Sequence, residues 1–241
     1  MRSILVTGGN GGLGLAIGSY FLEHDSAATV YLGVRKSRQN IEPLVLKYGA
    51  RCRLVDLDVT SVETWKTVVE TIVEESQSLD VLVNNAGMHQ DCLLATMPDE
   101  TWHSVISTNL DSVFYGCRAA VAQMMRQRNG RIVNIASLSA ILPPVGQANY
   151  AAAKAGVVTF GQTLAKEVAR AGITVNSVLP GFIETEALKE MDEEARKSAR
   201  RGIPMRRFGL PEEVAAAVYF LASPEAAYIT GASLKIDGGI F

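Results

Sequence analysis

Tyr150 and Lys154 close the run Tyr150-Ala151-Ala152-Ala153-Lys154, a spacing at which a helix stacks two side chains on one face. A phenol titrates near about 10 and is too weak an acid to protonate an alkoxide at neutral pH unless its anion is stabilised. An ammonium group at about 5 Å can stabilise it: at an effective dielectric of about 20 the attraction is roughly 3 kcal/mol, on the order of two pK units. The pair therefore reads as a general acid or base whose phenol is made more acidic by Lys154. The same spacing also occurs on solvated helices, so the reading depends on what the rest of the chain brings to it.

The start of the chain brings a nucleotide site. Residues 3–7 form a short apolar, β-prone run, followed by Gly8-Gly9-Asn10-Gly11-Gly12-Leu13-Gly14 and then a helical stretch over residues 15–24. Glycines let the backbone turn and approach a pyrophosphate, whose charge sits against the N–H groups at a helix start. A turn used only for tight packing is the alternative. The spacing is not that of a triphosphate-cleaving loop, since no G-x-x-x-x-G-K-[ST] is present. Beyond it, strands are expected over residues 29–34, 52–57, 81–83, 131–136, 174–178 and 233–236. Helices alternate with them over about 38–48, 62–75, 101–128, 148–171, 187–201 and 211–222. This alternation predicts an α/β fold, a doubly wound parallel sheet in one domain over residues 1–241. Ligands of such sheets lie beyond the carboxyl ends of the strands, where Gly8–Gly14, Asn85, Ser137 and Pro180 all fall.

Read together, these motifs resemble the short-chain dehydrogenase/reductase family over nearly the whole length. The matching residues are Thr7-Gly8-x-x-x-Gly12-x-Gly14, Asp58-Val59, Asn84-Asn85-Ala86-Gly87, Asn109, Ser137, Tyr150-x-x-x-Lys154 and Pro180-Gly181. Within the family, residues 147–156, 180–185 and 228–231 are most similar to the 3-oxoacyl-[acyl-carrier-protein] reductases. The resemblance implies a Rossmann-type fold and a catalytic set of Asn109, Ser137, Tyr150 and Lys154. Hydride would pass from a nicotinamide to a ketone carbon, Tyr150 would deliver a proton to the oxygen, and Ser137 would hydrogen-bond that oxygen. Lys154 would also hold the nicotinamide ribose, and Asn109 a water leading to solvent. Each of these residues has a plainer alternative: Ser137 as a strand-end turn former, Asn109 as a helix kink, Lys154 as a solvated cation. Ser139 ranks behind Ser137 because its spacing to Tyr150 departs from the family's. The implied cofactor contacts run through Gly8, Asn10, Gly12, Leu13 and Gly14, then Asn85, Ala86 and Gly87, with Asp58 and Val59 at the adenine and Tyr150 and Lys154 also touching the cofactor. Pro180, Gly181, Ile183 and Thr185 would lie at the carboxamide.

The end of the second strand bears on which dinucleotide fits. An acid that would hold a ribose 2′-hydroxyl is expected about twenty residues past the glycine turn, and Val34 stands there, followed by Arg35 and Lys36. Two cations attract a 2′-phosphate, so NADP(H) is expected, with two solvated surface cations as the alternative. The resemblance implies a 3-oxoacyl substrate on acyl carrier protein, entering past Phe182 and residues 184–201. Arg128 matches a basic docking position; a second such position holds Ala171, with Arg170 one place earlier. Reduction of carrier-bound polyketides, of free ketones, or oxidation of secondary alcohols stays open, as does a non-catalytic dinucleotide sensor.

Composition excludes other classes. The chain has 241 residues, 48% hydrophobic and 20% charged, with a formal net charge of −2, too balanced for a nucleic-acid surface. The basic residues 196–207 follow an acidic run and read as a salt-bridged exposed helix. Its longest apolar run, residues 214–222, is far below the ~18 needed to span a bilayer. Met1-Arg2 leads straight into the first strand without room for a signal, and a cytoplasmic location is expected. Cys52, Cys92 and Cys117 lack metal-ligand spacing and read as reduced packing residues. No metal is expected. No G-x-S-x-G accompanies His24, His89 or His103, which argues against a serine hydrolase. The Ala-, Val- and Gly-rich stretches 101–128 and 148–171, with the apolar C-terminus, point to subunit contacts; the resemblance implies that these helices pair across subunits, and a homotetramer is expected.

Overall fold

The computed structural model describes residues 2–35, 39–189 and 191–241. Seven parallel strands form one sheet: β1 (Arg2–Thr7), β2 (Ala28–Val34), β3 (Cys52–Asp56), β4 (Val81–Asn84), β5 (Gly130–Ile135), β6 (Ile173–Pro180) and β7 (Ser233–Ile236), in the order β3-β2-β1-β4-β5-β6-β7. β1 pairs with β2 on one side (Ile4 opposite Val30) and with β4 on the other (Ile4 opposite Val81). The order thus reverses at β1/β4, which opens a crevice there. β2 and β6 are buried throughout, as expected of strands covered on both faces.

Alternate residues feed two cores. Ile4 and Val6 pack with Ile17 and Phe21 of α1 (Gly12–His24) and with Val214 and Val218 of α9 (Pro211–Ala222). Leu5 and Leu82 face the other way, onto Trp65 and Ile72 of α3 (Val62–Ser76), Val113 and Cys117 of α5 (Ser112–Gln127) and Val157 of α6 (Ala148–Val168). The remaining helices are α2 (Glu42–Tyr48), α4 (Asp99–Ile106), α7 (Glu186–Lys189) and α8 (Glu193–Gly202). Ser61 caps α3 by accepting from the Thr64 amide, and Asp192 caps α8 by accepting from that of Ala195. Cys52 and Cys117 are buried free thiols, pushed up to about 11 and about 12 by burial. Among the described residues, no helix is long and apolar enough to cross a membrane.

Four elements differ from the pattern expected. The single helix over 101–128 is α4 and α5 joined by a π-helical turn, Ser107–Asp111. Asn109 causes the widening: its Nδ2 donates to the Val105 carbonyl at 2.8 Å and to the Met88 carbonyl at 2.7 Å. A side chain inserted into the helical ladder in this way opens it. The charged region 187–201 is two short helices, because the Asp192 cap starts a new one. The helix over 148–171 ends at Val168 and finishes in a 3₁₀ turn, Ala169–Ala171. The helix expected from residue 38 begins outside the described residues, and its visible part is a 3₁₀ turn, Gln39–Ile41, leading into α2.

Candidate active site

A cleft of about 590 Å³ follows the carboxyl edge of the sheet from the glycine turn to the front of α6 and the segment after β6. Gly8 leaves β1 with φ +64°, and its carbonyl accepts from the Gly11 amide at 3.1 Å. No side chain caps the α1 N-terminus, so the partial positive charge of its first amides is left to the cleft. Thr7 Oγ1 accepts from the amides of both Asn85 and Ala86, each at 2.9 Å. Asn85 Nδ2 donates back to the Thr7 carbonyl at 2.8 Å. Asn85 lines the cleft, yet its side-chain amide is committed to tying the β4 end to the β1 turn. Asn84 is buried and donates to Asn134 Oδ1 at 2.8 Å across the β4–β5 pair. Thr7, a hydroxyl at a strand end, is the pivot of this junction and stood in the motif without a role.

The cleft brings together Gly8, Asn10, Gly12, Leu13, Gly14, Asn85, Ala86 and Gly87 with Ser137, Tyr150, Lys154, Pro180, Gly181, Ile183 and Thr185. Arg35, Asp58 and Val59 lie outside its lining. Arg35 Nη1 sits 3.7 Å from Asp58 Oδ2 on a largely exposed surface. The Asp58 carboxyl is held below its usual range, first by the Thr60 hydroxyl and further by Arg35. Val59 offers its carbonyl to Trp65 Nε1 at 2.9 Å. Lys36 lies outside the described residues.

Tyr150 and Lys154 share one face of α6, with the ammonium nitrogen 5.6 Å from the phenol ring centre. Lys154 is only 3% exposed, and burial pulls its pKa down to about 8. Its Nζ donates to the Ile135 carbonyl at 2.8 Å. The expected lowering of the Tyr150 pKa by this lysine is overturned. Burial dominates and holds the phenol above its ordinary value; a hydrogen bond from Ser137 pulls it down, and the Asp91 carboxylate pushes it up. Burial disfavours both charged partners, and a backbone carbonyl has claimed the ammonium.

Asn109 is fully buried in the π turn. It does not line the cleft, but a Cβ at Gly87 would come within 2.7 Å of its Oδ1 and 3.4 Å of Lys154 Nζ. Only glycine leaves that corner open, and through it Asn109 and Lys154 face a common space. Ser137 is both turn former and cleft residue: its Oγ accepts from the Ser139 amide at 3.1 Å at the head of a 3₁₀ turn, Leu138–Ala140. Sequence reasoning places His89 near the pocket as a specificity residue and Gln147 in the family likeness, gives neither a partner, and passes over Asp91. His89 and Gln147 line the cleft, and the His89 ring meets the Tyr150 ring edge-on at 6.2 Å.

A crevice at the switch in strand order, with a glycine turn at one end and Ser137, Tyr150 and Lys154 at the other, defines a class. The chain belongs to the short-chain dehydrogenase/reductase family of pyridine-nucleotide oxidoreductases; the family model described as "Enoyl-(Acyl carrier protein) reductase" matches residues 8–240. Among curated proteins, it is similar to the 3-oxoacyl-[acyl-carrier-protein] reductase FabG of Thermotoga maritima, 45% identical over 239 residues. The proteins of the same name from Vibrio harveyi and Escherichia coli are 43% and 42% identical over 237 residues. In each case the match covers 98% of this chain and 96% of the relative.

Proposed function

We propose that this protein reduces a 3-oxoacyl thioester, carried on acyl carrier protein, to the 3-hydroxyacyl form with NADPH. The observation that carries the reading is the meeting of Ser137, Tyr150 and Lys154 at the far end of a cleft that begins at the glycine turn. The names of the relatives supply the substrate. When bound in this cleft, NADPH would supply the hydride that the ketone carbon takes up. Ser137 and Tyr150 then hold the oxygen, and Tyr150 gives it a proton as charge develops. A pair of hydroxyls suits an oxygen that becomes an alcohol, and it favours the ketone over reduction of a carbon–carbon double bond. Lys154 would hold the nicotinamide ribose, and Asn109 would complete the route by which Tyr150 is reprotonated.

The residues present fit a dinucleotide. The uncapped α1 end would receive the pyrophosphate through the amides of Gly12 and Leu13, and Asn10 would flank it. Asn85, Ala86 and Gly87 would line the ribose side. Pro180, Gly181, Ile183 and Thr185 would border the carboxamide. Arg35 and Lys36 would take the 2′-phosphate, and Asp58 and Val59 the adenine. Asp58 holds Arg35 at the rim, and a phosphate would compete for that guanidinium.

Consumption of reduced nicotinamide with acetoacetyl-carrier protein, acetoacetyl-CoA, a simple ketone and a crotonyl thioester tests the reading. The carrier-protein substrate is expected to give the highest kcat/KM, and NADPH to be preferred over NADH. Turnover of the crotonyl thioester alone would assign an enoyl reductase. Tight NADPH binding without turnover of any of them would assign a sensor.

The proposed assembly is a homotetramer built on α5 and α6. Phe114 of α5 is 41% exposed and meets Phe160 of α6 edge-on at 6.4 Å, which leaves an aromatic ridge on the surface. Sedimentation is expected to give four times the mass of one chain; a single-chain mass at micromolar concentration would refute the assembly.

A further inference from the structure

Four hydrogen-bonding contacts run from the cleft mouth to Ser137 through residues to which the reduction above assigns no task. His89 Nδ1 lies 3.3 Å from Asp91 Oδ1. Gln147 Nε2 donates to Asp91 Oδ2 at 2.9 Å, and Gln147 Oε1 accepts from Ser139 Oγ at 3.0 Å. The Ser139 amide donates to Ser137 Oγ at 3.1 Å. Three separate segments are thereby joined: the loop after β4, the turn after β5 and the residue before α6. Two further bonds stitch the same loop to α6 and the segment before it, from the Cys92 amide to the Gly146 carbonyl at 2.8 Å and from Asn149 Nδ2 to the Gln90 carbonyl at 3.2 Å.

The direction of these bonds matters. A serine hydroxyl has one proton and two lone pairs. With one lone pair taken by the Ser139 amide, Ser137 keeps its single proton for the cleft, where the phenol of Tyr150 lies beside it in the cofactor-free protein and the substrate oxygen would lie in the complex. Ser139 is anchored in turn by Gln147, whose two amide ends are told apart by their partners. The carbonyl end meets a hydroxyl, and the NH₂ end meets a carboxylate that can only accept. We propose that Ser139, Gln147 and Asp91 are positioning residues that hold the Ser137 hydroxyl in the cleft beside the phenol of Tyr150, ready for the substrate oxygen, with His89 closing the chain at the cleft mouth. The proposal rests on the reductase reading for its kinetic test alone.

Two substitutions separate the effects. Gln147→Leu cuts the chain and keeps the Asp91 charge, whereas Asp91→Asn keeps an acceptor for Gln147 and removes the charge. The titratable groups set around the phenol are Lys154 on its own helix, His89 and Asp91 from the loop after β4, and Glu186 across the cleft. Both variants leave Lys154, His89 and Glu186 in place. In cofactor-free protein carrying ¹³C-labelled tyrosine, Gln147→Leu is expected to move the Tyr150 titration up, because the Ser137 bond that lowers it is loosened. Asp91→Asn is expected to move it down. Ser139→Ala should follow Gln147→Leu, and Ser139→Thr, which keeps the hydroxyl, should match the parent. In turnover, Gln147→Leu and Ser139→Ala are expected to lose about tenfold in kcat with KM and NADPH affinity unchanged, as when a catalytic group is misplaced. An unmoved or lowered titration in Gln147→Leu, or a Ser139→Ala protein with parental titration and kcat, would overturn the proposal. If the parent reduces no 3-oxoacyl thioester, the substrate reading fails while the titration still decides the positioning role.

Discussion

Replacing Tyr150 with phenylalanine is expected to lower kcat for ketone reduction by about 10²- to 10⁴-fold, the usual contribution of a positioned acid, and to leave NADPH affinity unchanged. The ring keeps its packing against His89, and only the proton donor is lost. The pH profile supplies a second reading of the same residue. Burial holds the phenol above its ordinary value, so the acid form persists through neutral pH. Reductive turnover should therefore stay flat there and decline only as the medium becomes alkaline, with the opposite trend for alcohol oxidation. Rapid-mixing kinetics and a fluorescence titration with NADPH measure the two halves separately. A variant that retains more than about a tenth of parental kcat would remove Tyr150 from the acid's role.

The second large effect is expected from Gly14→Ala, a change of one methyl group. A Cβ at that position would lie 2.2 Å from the Gly8 carbonyl oxygen and 2.9 Å from Asn85 Nδ2. Both neighbours are held, Gly8 by its bond to the Gly11 amide and Asn85 by its bonds to Thr7. The turn must therefore shift, at about 1–3 kcal/mol of stability for overpacking, and dinucleotide binding should be lost. Gly12→Ala is the control. Its nearest neighbour is Thr185 Cγ2 at 3.7 Å, an ordinary contact, so the fold should be undisturbed while the methyl group intrudes on the cleft. Thermal unfolding and NADPH titration on both proteins check the contrast; equal melting temperatures for the two variants would contradict it.

The parts of the site carried by local chemistry are legible in the sequence. A glycine turn between a β-prone run and a helix, an Asn-Asn-Ala-Gly run after a strand and a serine at a strand end each declare their place through backbone requirements. The alternation of strands and helices determines that they meet at one edge. What escaped was non-local. Asp91 and Gln147 are 56 residues apart, and nothing in either neighbourhood announces the other. The π turn at Asn109 depends on the Met88 carbonyl, again a distant partner. The direction of the Tyr150 shift was misjudged because a charge–charge estimate at helical spacing contains neither burial nor the Ile135 carbonyl that claims the lysine. Lys36 lies outside the described residues, so of the two cations expected to attract a 2′-phosphate only Arg35 is described, beside Asp58.

The widened turn at Ser107–Asp111 also sets the angular phase between the two helices it joins. Each residue of an α-helix advances about 100° around the axis. Excising one residue there, so as to restore a regular ladder, would rotate everything downstream by about that amount relative to α4. Val113, Cys117 and Ala120 would swing out of the interior, Phe114 and Arg118 would be carried round from the surface, and Asn109 would lose its hold on Met88. A single deletion would thus damage core, outer face and catalytic corner at once, which makes this stretch intolerant of length change even where its individual side chains can vary.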